Sequence, residues 1–297
     1  MVNTYYPLYS EFFRCLGFRV ELPQKALQEG IERKRAPFCY PAEAAHGYFA
    51  ALLERKPDFL FLPHVKGVFV GQDKGPSTVC PLSQGEPYYL STAFKDHPHL
   101  IKLEENRRVL RPVLDFSRSV ESASEAMTGL AAALGRSRKE ARNAFTQAMR
   151  LQEQTRRAIQ DMGRELLQEL VGHDDRFAIV IFGRTYNACA SRLNMGIPDK
   201  FASRGIPVLP VDCLPLEDHS APGDMYWSTG QMILKGASFV KRNDQLFGCY
   251  ITNFSCGPDS FLLTYFRQAM GDKPFLILEL DSHVADAGLE TRIEAFL

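Results

Sequence analysis

The 297-residue sequence contains no Cys-x-x-Cys pair, although it has seven cysteines. That absence removes thioredoxin-like dithiol chemistry and the common local zinc and ferredoxin patterns, so any metal held by these thiols must be gathered from distant segments. No charge excess of either sign exists, since Lys+Arg and Asp+Glu number 35 each. Without a net field the chain has no general attraction to nucleic acid or an anionic membrane, and neither is expected as a partner. No apolar run approaches the roughly 20 residues that span a bilayer. The opening Met1-Val2-Asn3-Thr4-Tyr5 has no basic or apolar leader region, so a cytoplasmic location is expected. GxGxxG and GxxxxGK(S/T) are both missing, which removes the two common glycine-rich phosphate loops. An odd cysteine count without small-domain spacing argues against a disulfide framework and leaves thiols or metal ligands.

With 45% hydrophobic and 24% charged residues, the composition is that of a folded chain long enough for two domains. Apolar spacing predicts a helix over Tyr5 to Leu16, stopped by Gly17, then a short strand Phe18 to Leu22. A helix from Pro41 to about Arg55 precedes a buried-looking strand, Asp58 to Leu62. Residues 64 to 118 are punctuated by Gly75-Pro76, Gly85-Glu86-Pro87 and His97-Pro98-His99 and read as long loops around short elements. Ser137 to Val171 reads as one long amphipathic helix whose basic residues are interleaved with Glu and Gln, an ordinary solvated face. Beyond it, strands are predicted at Phe177 to Phe182, Ile206 to Val211, Gly248 to Phe254 and Pro274 to Leu280. The fold class is therefore α/β: two Rossmann- or flavodoxin-like lobes with open parallel sheets, residues 1–118 and 173–297, joined by a helical connector over 119–172. The chain starts on a helix and stops within one at Ile293 to Leu297, so it is expected to be a piece of a longer polypeptide.

Three cysteines share a setting, each with a proline within two residues: Cys39-Tyr40-Pro41, Cys80-Pro81 and Cys256-Gly257-Pro258. Proline is pre-organised for a first helical turn, which places Cys39 and Cys256 at helix N-termini; the segment after Cys80 gives no clear helix signal. A helix start stabilises negative charge and suits an anionic, thiolate-held iron–sulfur cluster. Cys15 and Cys249 lie in apolar settings, Cys189 follows a turn, and Cys213, at a strand end, is the strongest rival or fourth ligand. Spacing alone leaves open that all seven are incidental thiols. Among other candidates, His46, Glu86, Asn253, Asp259 and His283 are read for acid–base or cleft-shaping roles. Arg184, after the strand ending at Gly183, and Asn187 in the same turn are read as a cofactor or phosphate contact. Each is more often a capping or packing residue than a catalytic or binding one.

The segments Phe38-Cys39-Tyr40-Pro41, His46-Gly47-Tyr48, Cys80 to Tyr88, Asn194 to Pro198, Asn253 to Ser260 and Glu279 to His283 together resemble the cluster-bearing region of the large 2-hydroxyacyl-CoA dehydratase activase-related proteins. The resemblance covers nearly the whole chain. It implies two flavodoxin-like lobes holding a 4Fe-4S cluster through Cys39, Cys80 and Cys256, with low-potential electrons delivered by an ATP-dependent activator, on the same polypeptide or another. It also implies reduction or dehydration of a bound substrate such as a 2-hydroxyacyl-CoA. The phosphate motif of the family's ATPase module is missing, so this chain is not expected to hydrolyse ATP alone. Two other readings stand beside this one. One is a metal-free domain that binds acyl-CoA or a nucleotide at the strand edges; the other is a docking scaffold for a partner ATPase.

Overall fold

A computed structural model describes residues 2–36, 39–71, 77–173 and 175–297. The chain divides into two compact units, one of residues 1–69 and 78–154, the other of 70–77 and 155–297. The division falls inside the longest helix. The predicted strand over 18–22, by contrast, is absent.

The first unit opens with α1 (Val2–Cys15), α2 (Gln28–Glu32) and α3 (Tyr40–Glu54). The strands β1 (Leu60–Phe61) and β2 (His64–Val68) follow, then α4 (Pro81–Ala93) and α5 (Pro98–Glu105). It continues through β3 (Val109–Leu110), β4 (Val113–Phe116) and α6 (Ser124–Thr128) into α7 (Arg138–Leu170). β1 pairs with β3 and β2 with β4, both parallel. Pro7 and a non-helical Tyr5 interrupt α1. The side-chain amide of Gln152 on α7 closes the gap: Nε2 donates to the Thr4 carbonyl at 3.0 Å and Oε1 accepts from the Leu8 N–H at 3.2 Å. These two backbone groups would have paired with each other in an unbroken helix.

Two sequence expectations are corrected in this unit. Phe18 to Leu22 has no strand partner; the Phe18 N–H instead closes the end of α1 on Phe13, and Phe18 and Val20 pack against the core. Alternating hydrophobicity there records packing, not pairing. The stretch 64 to 118 is not mainly loop, because it holds two helices, both with proline in the first turn. Proline read as punctuation is there a helix start. Gly75-Pro76 lies outside the described residues.

The second unit carries β5 (Ala178–Phe182), α8 (Thr185–Cys189), α9 (Ser191–Asn194), α10 (Ile197–Ala202) and β6 (Val208–Pro210). These are followed by α11 (Ser228–Lys241), β7 (Leu246–Asn253), α12 (Gly257–Met270), β8 (Phe275–Leu280) and α13 (Asp286–Phe296). The four strands form one parallel sheet in the order β6-β5-β7-β8. All five residues of β5 are buried, as expected of a central strand covered on both faces. Val180, Phe182 and Tyr250 face one core with α11 and α12, whereas Ile179, Ile181, Cys249 and Ile251 face another with α10 and α13. Fully burying each such side chain contributes about 1.5–3 kcal/mol. The chain leaves β5 toward β6 and returns past it to β7, so the order reverses between β5 and β7. In open parallel sheets that reversal opens a crevice at the carboxyl ends of the strands.

Candidate functional site

The residues gathered at that crevice are Gly183 and Arg184 after β5, Asn187 on α8, Asn253 at the end of β7, and Cys256 and Asp259 at the start of α12. Gly183 is required by the backbone. Its φ is +140°, and a Cβ there would meet the Ile251 carbonyl oxygen at 2.7 Å. The close approach lets Asn187 Nδ2 donate to Ile251 O at 2.8 Å. Ser255 adopts a φ of 61° in the tight turn between β7 and α12, and the Cys256 N–H closes that turn on the Asn253 carbonyl at 3.0 Å. A left-handed non-glycine residue costs of order 1–3 kcal/mol and must be held by its surroundings.

Asp259 is the electrostatic centre. Arg184 Nη1 donates to its Oδ2 in a buried ion pair; Thr252 Oγ1 donates to the same oxygen at 2.5 Å and the Tyr250 hydroxyl to Oδ1 at 2.9 Å. Burial pushes the carboxyl up, but Arg184 and the hydroxyl donors outweigh it and hold Asp259 below the usual carboxylate range. Burial disfavours the Arg184 charge, yet Asp259 and then Cys256 raise its pKa well above the ordinary value. Thr252 and Tyr250 were not singled out from sequence. The signal that could have found them is their i, i+2 placement on one face of β7, shortly before an Asp in a helix first turn.

Three amide atoms at this edge lack partners among the described residues. Asn253 is 2% exposed and neither Nδ2 nor Oδ1 is hydrogen-bonded; Asn187 Oδ1 is also unpaired. Native structures rarely leave buried amides in that state, and each marks a place where water or a ligand belongs.

The three singled-out cysteines share one local geometry. Cys39 is the N-cap of α3, Cys80 of α4 and Cys256 of α12, each with proline in the first turn and no side-chain cap hydrogen bond. Their carbonyls accept the first helical N–H groups, from Ala42, Gln84 and Ser260 respectively. All three thiols are half-buried. Cys80 is thus a helix start after all. The remaining cysteines occupy other positions: Cys15 in α1, Cys189 at the end of α8, buried Cys213 after β6 and buried Cys249 within β7. Cys39 and Cys80 belong to the first unit and Cys256 to the second. Among the described residues, no three His, Cys, Asp or Glu side chains form a group for one metal ion.

The other predicted residues are dispersed. His46 is buried on α3, its Nδ1 2.8 Å from the Ala42 carbonyl and its ring stacked on Tyr89 of α4 at 5.3 Å, which packs the two cysteine-capped helices together. Glu86 is half-buried on α4 and helps raise the pKa of the buried Tyr9 hydroxyl, after desolvation and Tyr5. His283 is exposed after β8, where its backbone N–H is held by Asp281 Oδ1 at 2.7 Å. Phe38 lies outside the described residues. No described helix is long and apolar enough to cross a membrane.

The chain is a mixed α/β protein whose second unit carries a parallel sheet with its order reversing between β5 and β7. The family model of the CoA enzyme activase uncharacterised domain matches residues 1–214, and the chain belongs to that family. Membership ties it to the activation of a CoA enzyme. No curated protein matches the chain.

Proposed function

We propose that this chain is an iron–sulfur electron-handling domain of a CoA enzyme activation system, with Cys39, Cys80 and Cys256 ligating a 4Fe-4S cluster. The observation that carries this reading is that these three of the seven cysteines share one position, half-buried N-cap before a proline-bearing first turn. Backbone N–H groups at a helix start offset the negative charge of a thiolate and of anything it binds. Bound there, such a group supplies one-electron transfer and, with only three protein thiolates, one iron open to another ligand. The electron donor is an ATP-dependent activator or reductase, on this polypeptide or another, and the acceptor is a CoA enzyme or a bound acyl-CoA such as a 2-hydroxyacyl-CoA. Within the second unit, Asp259 holds Arg184 at the start of the helix that Cys256 caps, and Gly183 admits the close approach of the Asn187 side chain.

Anaerobic purification with iron analysis and visible spectra tests this. Wild type should hold about four iron per chain with a broad charge-transfer absorption. Each of Cys39→Ala, Cys80→Ala and Cys256→Ala should lose both, while Cys15→Ala retains them. Colourless, iron-free wild-type protein after reconstitution refutes the reading. A second reading, a metal-free domain for acyl-CoA or nucleotides, is favoured by the unpaired amides of Asn187 and Asn253. Binding of CoA or ATP by iron-free protein, lost in Asn253→Leu, would support it.

A further inference from the structure

Asn187 and Asn253 lie just past and at the carboxyl ends of β5 and β7, where the strand order reverses, and both belong to the second unit. We infer that their side-chain amides form a recognition site for a neutral amino group flanked by a hydrogen-bond acceptor, the edge presented by adenine or by a primary carboxamide. The inference rests on the second reading above, a binding domain for acyl-CoA or nucleotides, and adds which part of the ligand is read.

Three observations carry it. Asn187 is 0% and Asn253 2% exposed, yet Asn187 Oδ1 and both Nδ2 and Oδ1 of Asn253 have no hydrogen-bond partner among the described residues. Buried amides are seldom left so, because each unmet atom carries the cost of its lost hydration. The two side chains also share a face. Asn187 Nδ2 donates to the Ile251 carbonyl, and since only the nitrogen can donate, that amide is held with Oδ1 left as an acceptor. Asn253 follows Ile251 by two residues on β7, so pleating puts its side chain on the same side of the sheet, about 6.6 Å further along. The charged pair at this edge is engaged elsewhere: Arg184 bonds Asp259, and Asp259 bonds Tyr250 and Thr252, which alternate to the opposite face.

The unmet atoms are one donor and two acceptors, so a ligand that satisfies them all offers one acceptor and two N–H donors. A primary amino group beside a ring nitrogen or a carbonyl oxygen does this. The acceptor takes Asn253 Nδ2, one N–H goes to Asn253 Oδ1 in the two-bond pairing that asparagine makes with adenine, and the other goes to Asn187 Oδ1. A phosphate or carboxylate offers acceptors alone and leaves both amide oxygens unmet. Entry needs local opening of the strand edge, and α8, which carries Asn187, is a helix of five residues with few backbone bonds to break.

The test is calorimetric titration of the full chain with two probe pairs, adenosine against inosine and nicotinamide against nicotinic acid. Inosine lacks the second donor on its edge, and nicotinic acid carries acceptors only. The expected result is a preference of roughly tenfold or more for the amino member of one pair, which also identifies the source as a nucleobase or a free carboxamide. Asn253→Leu should weaken that ligand by a similar factor, with Trp227-detected urea unfolding confirming that the unit still folds; the comparison within each pair is made on wild type and needs no variant. Equal affinity within both pairs overturns the inference and leaves the binding-domain reading standing. Full affinity retained by folded Asn253→Leu also overturns it, since the ligand then sits elsewhere, as does binding of ATP or CoA when none of the four probes binds. If the four probes, ATP and CoA all fail to bind, the inference and the reading beneath it fall together and the amides hold water.

Discussion

Removing the Asp259 carboxylate tests the architecture of the crevice independently of any bound group. Asp259→Ala deletes three hydrogen bonds and leaves the buried guanidinium of Arg184 without its counter-charge. Breaking a buried pair from one side costs about 3–5 kcal/mol. Replacing both charges, as in Arg184→Met with Asp259→Leu, leaves only the Tyr250 and Thr252 hydroxyls without an acceptor, at a cost of about 1–3 kcal/mol each that Asp259→Ala carries as well. The double variant is therefore expected to be more stable than the single one. Trp227 is the only tryptophan and lies in the second unit, so its fluorescence during urea unfolding follows that unit alone. With an m-value of about 2 kcal/mol/M, the single variant shifts the midpoint down by roughly 2 M. A loss below about 1 kcal/mol for Asp259→Ala, or a double variant less stable than the single, refutes the reasoning.

The same carboxylate sets an acid limit. Because its folded pKa is depressed, its contribution is complete above the unfolded value of about 3.9 and is lost as pH falls through the lower folded value; Asp259→Asn should flatten the Trp227-detected acid transition in that window. Gly183→Ala places a methyl 2.7 Å from the Ile251 carbonyl at a φ of +140° and should cost at least about 2 kcal/mol in the same urea assay. Asn253→Leu, which breaks no side-chain hydrogen bond, should alter stability by no more than about 1 kcal/mol, so any functional loss would assign the amide to a ligand. Burial first, then Asp212 and Cys189, push the Cys213 thiol up to about 12. Native protein at pH 8 should therefore show Cys213 unalkylated by iodoacetamide in peptide mass spectra, with modification appearing in urea.

Much of the second unit is legible in sequence because its strands are continuous apolar runs. Phe177 to Phe182 predicts β5 nearly to the residue, and the placement of the candidate residues Arg184 and Cys256 just past strand ends follows from the parallel topology. The long helix expected over Ser137 to Val171 is found as Arg138–Leu170. The first unit resists because proline serves opposite ends there. Pro81 and Pro98 open helices, and nothing local distinguishes them from loop prolines. Among the candidate residues, cysteine and arginine stand out in the sequence, whereas Thr252 and Tyr250 reach the buried carboxylate of Asp259, seven and nine residues further on, with no local signal. Such pairing depends on which face of a strand meets which helix, a three-dimensional fact with no local signature.

The placement of β5 at the centre of its sheet also has a temporal side. Its partners, β6 and β7, both lie downstream, and β7 starts at Leu246. At a ribosomal rate of about 5–20 residues per second, the chain from Phe182 to Leu246 takes roughly 3–13 s to emerge. For that interval Ala178 to Phe182, a wholly apolar strand, has no β7 edge to meet. Newborn chains therefore pass through seconds of exposed stickiness, when a holding chaperone would matter most.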